Sequence, residues 1–65
     1  MQIHVNGEKT ESSATTLLAL LAELKLDAAK LVAELNGDIV PRERFAETKL
    51  SPNDRLELVH FVGGG

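Results

Sequence analysis

One stretch of this chain repeats its apolar residues at helical spacing, and that helix must find something other than a second helix to cover its face. Leu17, Leu20, Leu21 and Leu24 recur at i, i+3, i+4 and i+7, the signature of one apolar helix stripe. Ala19, Ala22 and Glu23 favour helix and fill the intervening positions. Thr15 or Thr16 offers a hydroxyl to the first free helical N–H groups. The predicted helix runs from about Thr16 to Lys25 and ends near Leu26-Asp27, with Leu18 widening the stripe.

The flanking segments read as strands. Gln2-Ile3-His4-Val5 alternates polar and apolar, and Asn6-Gly7 follows, a pair that accepts φ > 0 at both central positions of a two-residue hairpin. The return strand, Glu8 to about Ser12, is polar at nearly every position, as suits an edge. Leu31-Val32-Ala33-Glu34-Leu35 reads as a third strand, with Leu31, Ala33 and Leu35 inward and Val32 and Glu34 outward. A second pair, Asn36-Gly37, turns the chain into Asp38-Ile39-Val40, which ends at Pro41 for want of an N–H. Pro41 to Glu47 reads as a helical turn with Pro at its first position and Phe45 as apolar anchor. Lys49-Leu50 is a candidate short strand, and Ser51-Pro52-Asn53-Asp54 a turn with Pro in its second position. Arg55 to Val62 is the most strand-like run, alternating at first and then almost continuously apolar.

A hairpin, one helix and three further strands combine as helix on one face of a mixed sheet, an α+β layer solution. The first and last strands lie side by side and parallel in the middle, with the helix as crossover. This is the β-grasp, or ubiquitin-like, arrangement, with four to five strands. The predicted core is Ile3, Val5, Leu17, Leu20, Leu21, Leu24, Leu31, Leu35, Leu56 and Leu58.

Size makes that core decisive. A 65-residue chain buries only about 60% of its unfolded surface, and without Cys no disulfide or thiolate–metal staple can help. The 43% hydrophobic content therefore serves one domain, residues 1–62, followed by a flexible glycine tail, residues 63–65. A net charge of −3 with no basic stripe argues against nucleic acid or anionic membrane as partner. No signal peptide or membrane-spanning run is recognisable, so the expected compartment is the cytoplasm.

The tail is Gly63-Gly64-Gly65. Glycine lacks a Cβ, so three in succession can thread a channel too narrow for side chains. No helix follows them, so they are not a phosphate loop. The expectation is a bare strand of backbone presenting the carboxylate of Gly65.

Three features carry a family resemblance over essentially the whole length. They are Thr16-Leu17 leading into the leucine helix, the run Asn36-Gly37-Asp38-Ile39-Val40-Pro41-Arg42-Glu43-Arg44-Phe45, and the ending Val59-His60-Phe61-Val62-Gly63-Gly64-Gly65. On these the chain resembles the ThiS family, sulfur carriers of thiamin thiazole biosynthesis. A terminal Gly-Gly is shared with MoaD-like carriers of molybdopterin synthesis and with ubiquitin-like modifiers, the alternative readings. The resemblance implies a co-substrate rather than an enzyme. A ThiF-like activating enzyme, using ATP and Mg, would adenylate the Gly65 carboxylate. A cysteine desulfurase persulfide would supply sulfur for the thiocarboxylate, and a ThiG-like thiazole synthase would receive it. Gly64 and Gly63 would occupy the partner's tunnel, and the chain itself would hold no cofactor.

Alternation in the last strand puts Leu56 and Leu58 inward and Val59 and Phe61 outward, with Val32 beside them on the next strand. These three are the candidate docking residues. The alternative is a β-bulge that turns Phe61 into the core, which the burial of His60 under strict alternation would favour. His4 and His60 fall on neighbouring strands, but two histidines without Cys or a spaced carboxylate motif make no zinc site. Glu43 and Glu47 on one helical turn read as solvated charge.

Overall fold

The computed structural model describes residues 1–61. Strands β1 (Gln2–Val5), β2 (Glu8–Glu11), β3 (Leu31–Leu35), β4 (Asp38–Val40) and β5 (Arg55–His60) form one sheet in the order β2-β1-β5-β3-β4. Helix α1 spans Leu17–Glu23, and short 3-10 helices cover Ala28–Lys30 and Arg42–Arg44. β1 and β5 are parallel, and the other neighbouring pairs are antiparallel. The last strand therefore runs through the centre of the sheet, beside the first.

Both hairpins turn where the Asn-Gly pairs stand. Asn6 and Gly7 take φ 51 and 83, and Asn36 and Gly37 take φ 52 and 91, the double left-handed geometry of a type I′ turn. Asn53 is also left-handed, φ 70, in the turn closed by the Asp54 N–H donating to the Ser51 carbonyl at 3.1 Å.

The segment after β4 closes the start of the helix. The Leu17 N–H donates to the Thr48 carbonyl at 2.9 Å and the Leu18 N–H to the Phe45 carbonyl at 3.0 Å. The Ala19 N–H goes to Thr16 Oγ1 at 3.2 Å, so the N–H groups of Leu17, Leu18 and Ala19, which no helix can satisfy internally, each find a partner. At the other end Leu24 is the cap and Lys25 is left-handed, φ 60. The Lys25 N–H reaches Ala22 and the Leu26 N–H reaches Leu21, the paired bonds of a Schellman stop. Ser12, buried just beyond β2, donates to Glu23 Oε1 at 2.6 Å and accepts from the Ala14 N–H at 2.9 Å.

The core contains Ile3, Ala14, Leu17, Leu20, Leu21, Leu31, Ala33, Phe45, Leu50 and Leu56, with Val5, Leu24, Leu35 and Leu58 half-buried around it. Several expectations are corrected here. Leu18 does not widen the buried stripe; it is 42% exposed, because the sheet covers only one side of a seven-residue helix. Pro41 is the cap residue before the Arg42–Arg44 turn, not its first member. Lys49 makes a single isolated bridge with Thr16, and Leu50 packs into the core. Ala28–Lys30 forms a 3-10 turn that periodicity did not reveal; Asp27 caps it, accepting from the Ala29 N–H at 2.9 Å. Among the described residues no helix is long and apolar enough to cross a membrane.

Candidate functional site

The site is built on the carboxyl end of β5. Leu56 is buried and Leu58 half-buried against the helix side, while Glu57 and Val59 face outward. The β3–β5 register runs without interruption from Leu35 opposite Leu56 to Leu31 opposite His60. No bulge intervenes, and alternation holds to the end of the strand. Phe61 therefore stays out of the core, 36% exposed, and its N–H donates to the Lys30 carbonyl at 3.1 Å as one more rung of the ladder.

His60 needs no bulge to escape burial. By alternation it falls on the inner side of the sheet yet is exposed, at the last rung of β5 opposite Leu31, which is itself buried in the core.

Val32 stands directly opposite Val59 on the outer face, 42% and 61% exposed. Directly opposed side chains in such a pair lie about 4.5–5.5 Å apart at Cβ, so the two valines form one apolar surface. Ile39, 67% exposed, extends the outer face toward the edge, since it lies opposite Glu34, which lies opposite Glu57. The sequence reading missed Ile39, although the alternation of Asp38-Ile39-Val40 carries the signal: Val40 pairs with buried Ala33 and packs on the core, so Ile39 must face out. Val32, Ile39, Val59 and Phe61 thus gather on a face rimmed by Glu34 and Glu57. An apolar cluster with a charged rim is the usual composition of a protein-docking surface.

The remaining sequence candidates do not come together. His4 pairs with Arg55 and His60 with Leu31, five residues apart along β5, or roughly 16 Å of strand, and on opposite faces. Among the described residues no three His, Asp or Glu side chains gather where they could hold a metal ion. Glu47 lies 3.2 Å from Arg44 at the surface, an ordinary exposed pair, and Glu43 is exposed beside it. His4, Gly7, Arg55 and Glu57 line an open depression of about 280 Å³ at the far end of β5. Glu23 sits below the ordinary glutamate value, held there first by the Ser12 hydroxyl and then by that of Ser13. Gly63, Gly64 and Gly65, the expected reacting tail, lie outside the described residues.

Comparison with known proteins bears on what such a face and such a tail belong to. The sequence model of the ThiS family matches residues 2–65. The sulfur carrier protein ThiS of Bacillus subtilis is 35% identical over 65 residues, covering 100% of this chain and 98% of the relative. A thiazole synthase of Paramagnetospirillum magneticum is 42% identical over 66 residues, covering 100% of this chain but 20% of that protein. The chain thus spans about a fifth of the length of the thiazole synthases it matches. The crystal structure of a thiamine biosynthesis protein, ThiS, from Geobacter metallireducens superposes over 100% of both chains with TM-score 0.85 and 33% identity.

Proposed function

The chain belongs to the ThiS family, and from that premise we propose that it is a sulfur carrier for thiazole formation in thiamin biosynthesis, a co-substrate and not a catalyst. The observation that carries the reading is the central position of β5. The strand that leads into the glycines is hydrogen-bonded between β1 and β3, and its last rung is Phe61 on Lys30. Gly63 follows two residues later in the chain, so the reacting segment starts from a rigidly held point.

The chemistry follows from what a carboxylate lacks. It is a poor electrophile, and transfer of AMP from ATP makes the Gly65 carboxyl a mixed anhydride with release of pyrophosphate. A ThiF-like enzyme, with its Mg, supplies that step. A persulfide sulfur from a cysteine desulfurase then displaces AMP, and cleavage of the S–S bond by a thiol leaves the thiocarboxylate. Sulfur in place of oxygen makes the terminus a strong nucleophile toward the substrate of a ThiG-like thiazole synthase. In this cytoplasmic route Val32, Val59, Phe61 and Ile39 supply binding energy remote from the reacting atoms, while Gly63 and Gly64 admit the tail to a narrow channel.

Mass spectrometry of protein expressed to end at Gly65, together with its activating enzyme and a desulfurase, tests the reading. Gain of the mass difference between one sulfur and one oxygen supports it. A ladder of conjugates to other proteins points instead to a modifier, and an unchanged mass contradicts both.

A further inference from the structure

The chain carries an arginine whose side chain braces the point from which β5 leaves the sheet. Arg42 opens the second 3-10 turn, and its Nε donates to the Ala28 carbonyl at 3.2 Å while Nη2 donates to the Ala29 carbonyl at 3.1 Å. These are successive carbonyls of the Ala28–Lys30 turn. The Ala28 carbonyl already accepts the Leu31 N–H that closes the turn, and Arg42 adds a second donor there and reaches the Ala29 carbonyl beside it, since each carbonyl offers two lone pairs. A planar guanidinium can serve two carbonyls at once with a fixed fork, which an ammonium cannot. Ala28 is itself packed against the core on its apolar side, so the turn is gripped from within and from without.

The next carbonyl in the chain is that of Lys30, and it accepts the Phe61 N–H. Because peptide units are planar, fixing the Ala29 carbonyl leaves the Lys30 carbonyl only the φ and ψ of one residue in which to move. The brace therefore runs from Arg42 through the Ala28–Lys30 turn to the final rung of β5. The Ala28–Lys30 turn runs directly into β3 at Leu31, and Arg42 follows β4 after Pro41 alone.

Resting on the carrier reading above, we propose that Arg42 is a positioning residue for the reacting tail: its guanidinium holds the Lys30 carbonyl, and through it Phe61, so that the glycines enter the partner's active site from a fixed direction. Arg42 takes no part in the chemistry. Its effect reaches the carboxylate through the main chain, where small displacements matter, since an error of 1 Å at a reacting group costs about a hundredfold in rate.

Two measurements on the intact chain ending at Gly65 test this, using Arg42→Ala and, as a control for loss of positive charge, Arg44→Ala. Amide hydrogen exchange should show Phe61 about tenfold less protected in Arg42→Ala, the factor for one modest hydrogen bond, with Leu58 unchanged in the same spectra and Arg44→Ala like the wild type. ATP–pyrophosphate exchange with the activating enzyme should show kcat lowered by roughly 10- to 100-fold with KM for the carrier little altered, because the outer face is intact. Unchanged protection of Phe61, equal loss at Phe61 and Leu58, or the same effect from Arg44→Ala would each overturn the brace. A rise in KM with kcat preserved would make Arg42 a docking residue instead and also overturn it. A wild type that supports no pyrophosphate exchange overturns the carrier reading, and with it the functional half of this assignment, while the hydrogen-exchange comparison still decides the brace.

Discussion

The side chain of Asn6 completes the central strand: its Oδ1 accepts the Leu58 N–H at 2.7 Å, while its own N–H donates to the Leu56 carbonyl at 2.8 Å. Asn36 does the corresponding work on the other side, accepting the Arg55 N–H at 2.9 Å and donating its own N–H to the Arg55 carbonyl at 2.7 Å. Each Asn-Gly turn thus shapes its hairpin and also grips β5. Glycine at position 6 would keep the turn and lose the grip. Asn6→Gly should therefore lower unfolding free energy by about 0.5–1.5 kcal/mol, with Asn6→Asp, which keeps an acceptor, costing less. Urea denaturation measures both.

The core is small enough for one leucine to matter. Leu21 is 1% exposed and touches the sheet from the middle of the helix. Leu21→Ala should cost about 2–5 kcal/mol, a large share of a small domain's stability. Leu18→Ala, one turn away on the exposed side, should stay within about 0.5 kcal/mol. Thermal or urea unfolding of the pair checks the helix orientation directly.

Much of this was legible in the sequence because it depends on neighbours a few residues apart. The two type I′ turns follow from Asn-Gly, the helix from its leucine stripe, and the outward valine and phenylalanine from period-two alternation. What was missed depends on where elements stop. His60 is exposed although Leu31 opposite it is buried, and nothing within Arg55 to Val62 records what packs over the end of β5. Leu18 is exposed because the helix has cover on one side alone. The grip of Arg42 on Ala28 and Ala29 spans 14 and 13 residues and joins two irregular turns, where no periodicity exists to predict it.

Glu23 makes part of the stability depend on pH. Its carboxyl sits below the ordinary glutamate value, chiefly through the Ser12 hydroxyl and then that of Ser13. A carboxylate with a lowered pKa in the folded state adds stability above its unfolded pKa and loses it as pH falls through the folded value. Glu23→Gln should therefore be less stable than the wild type at neutral pH, with the difference closing as the solution is acidified through the carboxylate range. Urea midpoints of the two proteins across that range test it, and a gap that stays constant or widens on acidification contradicts it.

Phe61 separates docking from folding. It lies outside the core beside Val59, so Phe61→Asp should leave the melting temperature nearly unchanged while weakening binding to the activating enzyme. Differential scanning calorimetry and titration calorimetry report the two effects independently. A large drop in melting temperature would return Phe61 to the core.

The central claim is that Gly65 supplies the reacting carboxylate, and ATP–pyrophosphate exchange with the activating enzyme tests it most directly. Deleting Gly65 shortens the reach by roughly 3.3–3.6 Å, far beyond the misplacement of 1 Å that costs about a hundredfold. Exchange should therefore be lost in the shortened protein, and equally lost when a tag is added after Gly65, with circular dichroism unchanged in both. Normal exchange by either protein would contradict the account.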